Sequence, residues 1–591
     1  MYFVDTIDVP GLGNRGYLAG GAHSAAVVDP PRDIDRVIEA AARRGVRITH
    51  VVETHVHNDY VTGGLELARI TGAAYLVPAA ARVGYERVPV ADGDRTEIDE
   101  GLVLRALATP GHTPHHTSYV LEEIQEQSRK DLGEEVGEEV PQETARSVAV
   151  FTGGSLLIGT VGRPDLVEPG LTGRVARAQY DSAHRLAAEL PDETAVLPTH
   201  GFGSFCSATR AAGGTATTIG RERAVNEALV KDVDAFVADL LAGLDDIPAY
   251  YAHMGPANAQ GPAPVDLTPP RPADAEEIAA RLAAGEWVVD LRNRVAFAEG
   301  HVAGSLNFEA EGQLATYLAW LLPWGKPVTL LADTPAQLAH AQRELVRVGI
   351  DRPAAGATGS PTDWIPQDER SRSFPRGTFA ELAAARPTAA QPAPREGVVI
   401  LDVRRDSERD ADWIRGSVHI PLHHLRERLP EIPDGTVWVH CAGGMRAAIA
   451  ASLLDAAGRE VVAVDDGFAA ARDAGLPMAR VTAAEAEERT GSDAVLLDVR
   501  EPDEWATGHA PGAVLAPLSA LTAGEPLPQA ARGRPIVAIC RSGKRSREAA
   551  ALLTARGGTD VVDVVGGMRA WVEAGLPVVA EPGAGTPGHP R

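Results

Sequence analysis

The sequence predicts an α/β protein: an N-terminal unit, then three copies of a doubly wound parallel-sheet domain. Three observations predict it. Apolar, strand-like runs alternate with segments of helical period. A single pattern, an apolar strand ending in Asp and followed by a charged helix start, occurs three times in the C-terminal half. The length of 591 residues allows three to five domains at roughly 100–200 residues each.

In the N-terminal unit (1–255), GYLAG (16–20) and SAAVVDP (24–30) read as strands, Ile34–Arg44 as a helix, and ITHVVETH (48–55) as a buried strand entering a polar loop. The stretch 254–273 is rich in Pro, Gly and Ala, and 256–273 is taken as linker. The repeats follow at 274–370, 374–480 and 481–580. Their Asp-ended strands lie in WVVDLRNRVAFAEGHVAGSLNF (Asp290), VVILDVRRDSERDADWIRGSVHIP (Asp402) and AVLLDVREPDEWATGHAPGAVLAP (Asp498). Second apolar strands come later in each copy: VTLLAD, TVWVHC and IVAIC. Strands alternating with helices imply parallel sheets covered on both faces. The last residues, 581–591, are expected to be a disordered tail.

Composition excludes several classes of partner. A formal net charge of -25 argues against nucleic acid and against an anionic membrane surface. Nine acidic and two basic residues between Glu122 and Glu143 read as a solvated loop. Three cysteines (Cys206, Cys441, Cys540) form no disulfide framework and suit a reducing compartment. With no signal-peptide pattern and no apolar run of roughly 18 residues, the expected location is cytoplasmic. The sequence leaves homo-oligomer and monomer both open.

Two cysteines end the second strands of the last two copies, in HCAGGMRAA (Cys441, Gly443, Gly444, Arg446) and CRSGKRSREAA (Cys540, Arg541, Ser542, Gly543, Lys544, Arg545). A loop between a strand's carboxyl end and a helix N-terminus collects backbone N–H groups and the positive helix end. That cradle favours a thiolate nucleophile and an anionic group carried on its sulfur. A buried structural cysteine is the competing reading. The third loop has more cations, so Cys540 is expected to be the more activated. The first copy has Asp333 near this position and is expected to be catalytically silent.

The N-terminal unit offers a candidate metal site: THVHNDY with His55, His57, Asp59 and Tyr60, then TPGHTPHH with His112, then LPTHGFGSFC with His200. Imidazoles with a carboxylate suit zinc or non-haem iron. His115 and His116 are read as hydrogen-bonded loop histidines, and Cys206 as a small packing residue.

Two resemblances sharpen this reading. Residues 275–578 resemble tandem rhodaneses, which carry sulfane sulfur on one cysteine, through LDVR, CRSGKRS and the closing GGMRAW (566–571). The second copy departs from this pattern at Trp413, where the third has His509. Residues 1–255 resemble the persulfide dioxygenases of the metallo-β-lactamase fold, through VVETHVHNDYVTGG, ATPGHTPHHTSY, FTGGSLLIGTVGRPDL and PTHGFGSF. That resemblance implies an αββα sandwich. It also implies one iron, Fe(II), per chain, oxidising a low-molecular-weight thiol persulfide to sulfite, with thiosulfate or sulfide-derived sulfur and a sulfur-acceptor protein as further partners. Tyr60 stands where many members have His, which suits a mononuclear site. Gly154 stands where the family's third ligand, an Asp, is found. His55 and His112 remain, and His57, Asp59 or His200 are the candidates to complete a different site. Arg163, in GRPDL with Asp165, is a candidate for a substrate carboxylate. Two alternatives follow: a rhodanese sulfurtransferase with a degenerate N-terminal domain and no cofactor, and a zinc-dependent thioester hydrolase.

Overall fold

In a computed structural model of the chain, residues 2–124, 145–166, 169–207, 214–366, 371–386, 397–558 and 560–580 are described. The expected acidic loop from residue 125 on and the expected disordered tail 581–591 lie outside them. The chain forms two compact units: Met1–Pro375 with Ala451–Arg459, and Arg376–Ala450 with Glu460–Arg591. No helix of the described residues is long and apolar enough to cross a membrane.

The first unit begins with two six-stranded sheets. One runs in chain order through β1 (Phe3–Val9), β2 (Asn14–Gly20), β3 (Ser24–Val28), β4 (Arg47–Val52), β5 (Ala74–Pro78) and β6 (Val88–Val90). The other orders β12 (Thr217–Thr218), β11 (Ala195–Pro198), β10 (Ala145–Gly153), β9 (Thr117–Ile124), β8 (Leu102–Ala108) and β7 (Arg95–Asp99). Side chains of a strand alternate between faces, and the core follows that alternation. Tyr17, Ala19, Ala26, Val28 and Val52 of the first sheet meet Leu104, Ala106, Tyr119, Leu121 and Phe151 of the second. The opposite faces are covered by helices. Leu18, Ala25 and Val27 pack on Val37, Ala41 and Leu67, and Leu107, Val120 and Val150 pack on Ala176, Ala183 and Leu186. The layers are therefore αββα.

The segment expected to be linker from 256 begins as helix instead. Tyr251–Gln260 is helical. Buried Asn258 explains why. Its Nδ2 donates to the carbonyls of His57 and Tyr60 (both 2.8 Å), and its Oδ1 accepts from Thr62 N–H (3.0 Å).

Three all-parallel sheets follow. The first copy orders Leu306–Asn307, Trp287–Asp290, Val328–Ala332 and Ala355–Thr358. The second orders Arg376–Gly377, Val461–Val464, Thr436–His440, Val398–Asp402 and Val418–His419, and the third orders Arg480–Val481, Val561–Val564, Ile536–Ile539, Val495–Asp498 and Val514–Leu515. The boundary expected between 480 and 481 thus falls inside a strand of the third sheet. In every copy the strand-ending Asp is gripped by the Arg two residues on: Asp290 by Arg292, Asp402 by Arg404, Asp498 by Arg500. Each Arg also donates to a carbonyl eight residues further, on Gly300, Asp412 and Gly508. The D-x-R repeat is thus a clamp that closes the loop after the first strand.

The first copy packs on the αββα layers within the same unit. Its helix Leu314–Leu321 sets Ala315 and Ala319 beside Val9, Leu12, Tyr60, Cys206 and Met254, and Phe205 meets Trp320 edge-on at 5.2 Å. Arg347 holds Asp33 with two hydrogen bonds (2.9 and 2.7 Å), and Arg343 holds Asp35 (2.6 Å). Asp33 is fully buried. A buried carboxylate that loses its partner keeps its desolvation cost. Arg347→Ala is therefore expected to destabilise the unit by about 3 kcal/mol, read as a lower denaturant midpoint. An unchanged midpoint would show that Asp33 does not depend on Arg347.

Candidate metal centre and cysteine loops

Four loops at strand ends bring the predicted histidines together: the loop after β4 (His55, His57), the loop between β8 and β9 (His112), the turn after β10 (Gly154) and the end of β11 (His200). All four imidazoles are 0–1% exposed. Their hydrogen bonds assign the tautomers. Thr54 Oγ1 donates to Asp29, so it accepts from His55 Nδ1–H at 2.9 Å. His200 Nδ1 faces Asp59 Oδ2 at 3.2 Å and Asn14 Oδ1 at 3.1 Å. His112 Nδ1–H donates to the Arg163 carbonyl at 3.0 Å. Each ring thereby turns an Nε2 lone pair inward. His55 Nε2 and His200 Nε2 stand 3.4 Å apart, and His112 Nε2 has no hydrogen-bond partner among the described residues. Burial, and then the neighbouring imidazoles, push His55 well down, and burial pushes His112 down to about 3. Converging lone pairs held by second partners are the arrangement a divalent transition metal requires.

His57 sits differently. Its Nε2 faces Glu53 at 3.1 Å and Asp29 at 3.2 Å, while its Nδ1 is buried without a partner. Burial alone would lower it, but Asp29 and then Glu53 carry it up to about 10. It also lies in a group of possible metal donors with His55 and His200. Asp59, expected as a ligand, instead stands behind His200 and accepts from Asn14 Nδ2 at 2.7 Å. Tyr60 Oη donates to the Asp29 carbonyl at 3.3 Å, and its ring packs against His57 at 4.5 Å. His115 Nε2 accepts from Val56 N–H, and His116 Nε2 from Gly154 N–H (3.0 and 3.1 Å), as hydrogen-bonded loop residues do.

Two positions change the expected site. A Cβ at Gly154 would lie 2.2 Å from His112 Cδ2, so the His112 ring fills the room a side chain there would need. Arg163 is 2% exposed. Its guanidinium is spent on Asp165 (2.7 and 2.8 Å) and on the carbonyls of Phe205, Asp245 and Asp246. It is a buried scaffold residue and offers no charge to a substrate carboxylate. The sequence reading passed over Asp29 and Glu53. The only signal for them was acidic residues ending apolar strands in VVDPP and VVETH. It also ranked Cys206 as packing, whereas its sulfur lies within 4.8 Å of donor atoms of His112 and His200.

The cysteine loops match each other. Cys441 Sγ accepts from Gly444 N–H at 3.1 Å and Cys540 Sγ from Gly543 N–H at 3.2 Å, with those glycines at φ +95° and +89°. In the third copy Gly567 closes over the loop, where a Cβ would meet the Cys540 carbonyl at 2.2 Å. Arg541, Ser542 and Lys544 are exposed around Cys540, as Gly443 is beside Cys441. The closing arginines grip glutamates of the motif helices: Arg446 on Glu408 (2.6 and 2.8 Å) and Arg545 on Glu504 (2.5 and 2.7 Å). These arginines, expected to be catalytic together with Cys441 and Cys540, fasten the loops.

A Rhodanese-like domain family model matches residues 387–474 and 482–574. A sulfurtransferase of Allochromatium vinosum is 37% identical over 91 residues, which are 15% of this chain and 83% of that protein. The chain belongs to the rhodanese family. This rhodanese-family chain is also similar to the mitochondrial persulfide dioxygenase of Homo sapiens, 27% identical over 228 residues, covering 37% of the chain and 73% of that protein. A metallo-beta-lactamase structure from Staphylococcus aureus superposes with a TM-score of 0.51 at 24% identity, covering 61% of this chain and 99% of that one. The N-terminal domain has the metallo-β-lactamase fold. Other relatives are matched over only 21% to 37% of their own lengths.

Burial would raise Glu408, but Arg446 carries it down to about 2 from 4.5. A carboxyl lowered on folding adds stability above its unfolded pKa and loses it as pH falls through the folded one. The unit holding both cysteine loops is therefore expected to lose stability from about pH 4.5 downward. Glu408→Gln should be less stable at neutral pH and decline less steeply in acid, read as thermal midpoints across pH. Parallel curves would refute the link.

Proposed function

We propose that the protein is an enzyme of sulfur metabolism with two linked chemistries. One oxidises a low-molecular-weight thiol persulfide to sulfite at a single iron in the N-terminal domain. The other carries sulfane sulfur on Cys540 and Cys441. The observation that carries this reading is one chain joining three inward-facing imidazole lone pairs to two cysteines in strand-to-helix loops of the same form.

For the cysteines, the sulfur of Cys540 attacks the outer sulfur of thiosulfate. An S–S bond forms, and sulfite leaves with the electron pair of the broken bond. The sulfane sulfur then passes to a thiol or an acceptor protein. Exposed Arg541 and Lys544 attract the dianion, and the Gly543 N–H stabilises negative charge on the sulfur. For the N-terminal domain the balance is RSSH + O2 + H2O giving RSH, sulfite and two protons, with sulfur oxidised and dioxygen reduced. A bound iron supplies the redox chemistry; zinc fits the same imidazoles. The chain's own part is to hold the neutral tautomers through Thr54, Asp59 and the Arg163 carbonyl, and to keep the centre dry. The first copy, lacking a cysteine, serves as a wall of this domain (Phe205 against Trp320).

A second reading is favoured by Gly154: a sulfurtransferase whose N-terminal domain has lost oxidation along with the carboxylate. The zinc thioester hydrolase gains no support, because Tyr60 is turned to Asp29 and position 154 has no room for a bridging carboxylate.

Oxygen uptake and sulfite release are expected when iron-loaded protein meets a thiol persulfide, and both should persist in Cys540→Ser. The same variant should lose most thiosulfate-to-cyanide transfer, with Cys441→Ser losing less and Lys544→Ala several-fold weaker at low salt. Transfer without oxygen uptake at full iron loading would leave the second reading; absence of both would sink the proposal.

A further inference from the structure

The Gly154 problem has an answer within the same pocket. A side chain at 154 would have to displace the His112 ring as it stands, and His112 Nε2 is buried, unpartnered and turned inward. The donor atoms of His112, His200 and Cys206 all lie within 4.8 Å of one another, and all three residues are 0% exposed. In a tetrahedral zinc site the donors stand roughly 3.3–3.8 Å apart, so a small inward shift on binding closes this triad.

We propose that Cys206 is a metal ligand in this chain, binding with His112 and His200 in place of the carboxylate absent at 154. The ligand class is a borderline-soft divalent transition ion, Zn(II) or Fe(II), to which thiolate and imidazole are well matched. The thiol proton leaves as the metal–sulfur bond forms.

A single backbone connection places both donors. The Arg163 carbonyl accepts from His112 Nδ1–H (3.0 Å), and Arg163 N–H donates to the Cys206 carbonyl (2.8 Å). The next pair, Gly162 and Ser207, forms a β-bridge. The Arg163 side chain is locked by Asp165, so this connection is rigid. On the other side the Cys206 sulfur lies 3.8 Å from Tyr251 Oη, a second partner of the kind that orients ligands. His200 Nε2 also stands 3.4 Å from His55 Nε2. Arg163, expected to meet substrate, thus acts as a positioning residue for two ligands.

The proposal rests on the metal centre proposed above and not on the reaction assigned to it. The test uses the full chain carrying Cys441→Ser and Cys540→Ser, which leaves Cys206 as its sole cysteine. Loaded with zinc, it is expected to show one sulfur at about 2.3 Å and nitrogens at about 2.0–2.1 Å by X-ray absorption. Loaded with cobalt(II), it should show near-ultraviolet thiolate absorption. Adding Cys206→Ser should remove both signals and weaken metal binding by roughly tenfold or more. Metal bound by nitrogen and oxygen alone would overturn the ligand role and leave the centre standing. No metal bound by either protein would overturn both. Should the triple variant fail to fold, the sulfur signal of the double variant decides the matter alone.

Discussion

The N-terminal domain is organised around one buried carboxylate. Asp29 ends β3 in the left-handed region (φ +49°), a conformation that Asp tolerates better than most residues. Its oxygens accept from Thr54 N–H and Thr54 Oγ1 at 2.7 Å and from Thr199 Oγ1, and they face His57 Nε2. Three strand ends from both sheets, β3, β4 and β11, are thereby tied to one point. Two of the three inward-facing imidazoles, His55 and His200, depend on that tie, while His112 is held by the Arg163 carbonyl. Thr54 can accept from His55 only because it donates to Asp29, and Thr199 sets the backbone that presents His200. A charge this deep is tolerated because each lone pair is used.

The C-terminal copies solve a different problem with the same economy. A cysteine sulfur at a strand end accepts one glycine N–H, and the loop that carries it must still be fastened. The D-x-R clamp shapes the loop after the first strand, the motif helix that follows supplies Glu408 or Glu504, and the glutamate grips the arginine that closes the cysteine loop. In the third copy Arg480 adds a further tie, donating to the Gly543 carbonyl (3.1 Å) while paired with Asp563. The first copy keeps the clamp at Asp290 and Arg292 but carries no cysteine. What it retains is surface: the helix Leu314–Leu321 and Arg347 pack it on the αββα layers.

Much of this was legible in the sequence. Period-two strands and the threefold D-x-R pattern encode local geometry, and local geometry shows in residue order. The two cysteine loops were readable because strand, cysteine, glycine turn and helix follow one another directly. The metal centre was readable only in part. His55, His112 and His200 announce themselves by spacing, but their partners come from distant strands: Asn14 behind His200, Glu53 behind His57, the Arg163 carbonyl behind His112. Arg163 misled for the same reason, since an arginine beside Pro looks exposed until Asp165, Asp245 and Phe205 close over it. The helix at 256–260 was hidden by composition, because Pro, Ala and Gly read as linker unless Asn258 is known to clasp the His57 loop.

The central claim is that converging neutral imidazoles hold a metal although position 154 offers no carboxylate. Elemental analysis of the full chain, purified without chelator from medium supplying both iron and zinc, tests it most directly. The account predicts about one transition-metal ion per chain, lost when His112 is replaced by Ala. A protein that folds fully yet binds no iron or zinc would contradict it, and the chemistry of the chain would then rest on Cys540 and Cys441 alone.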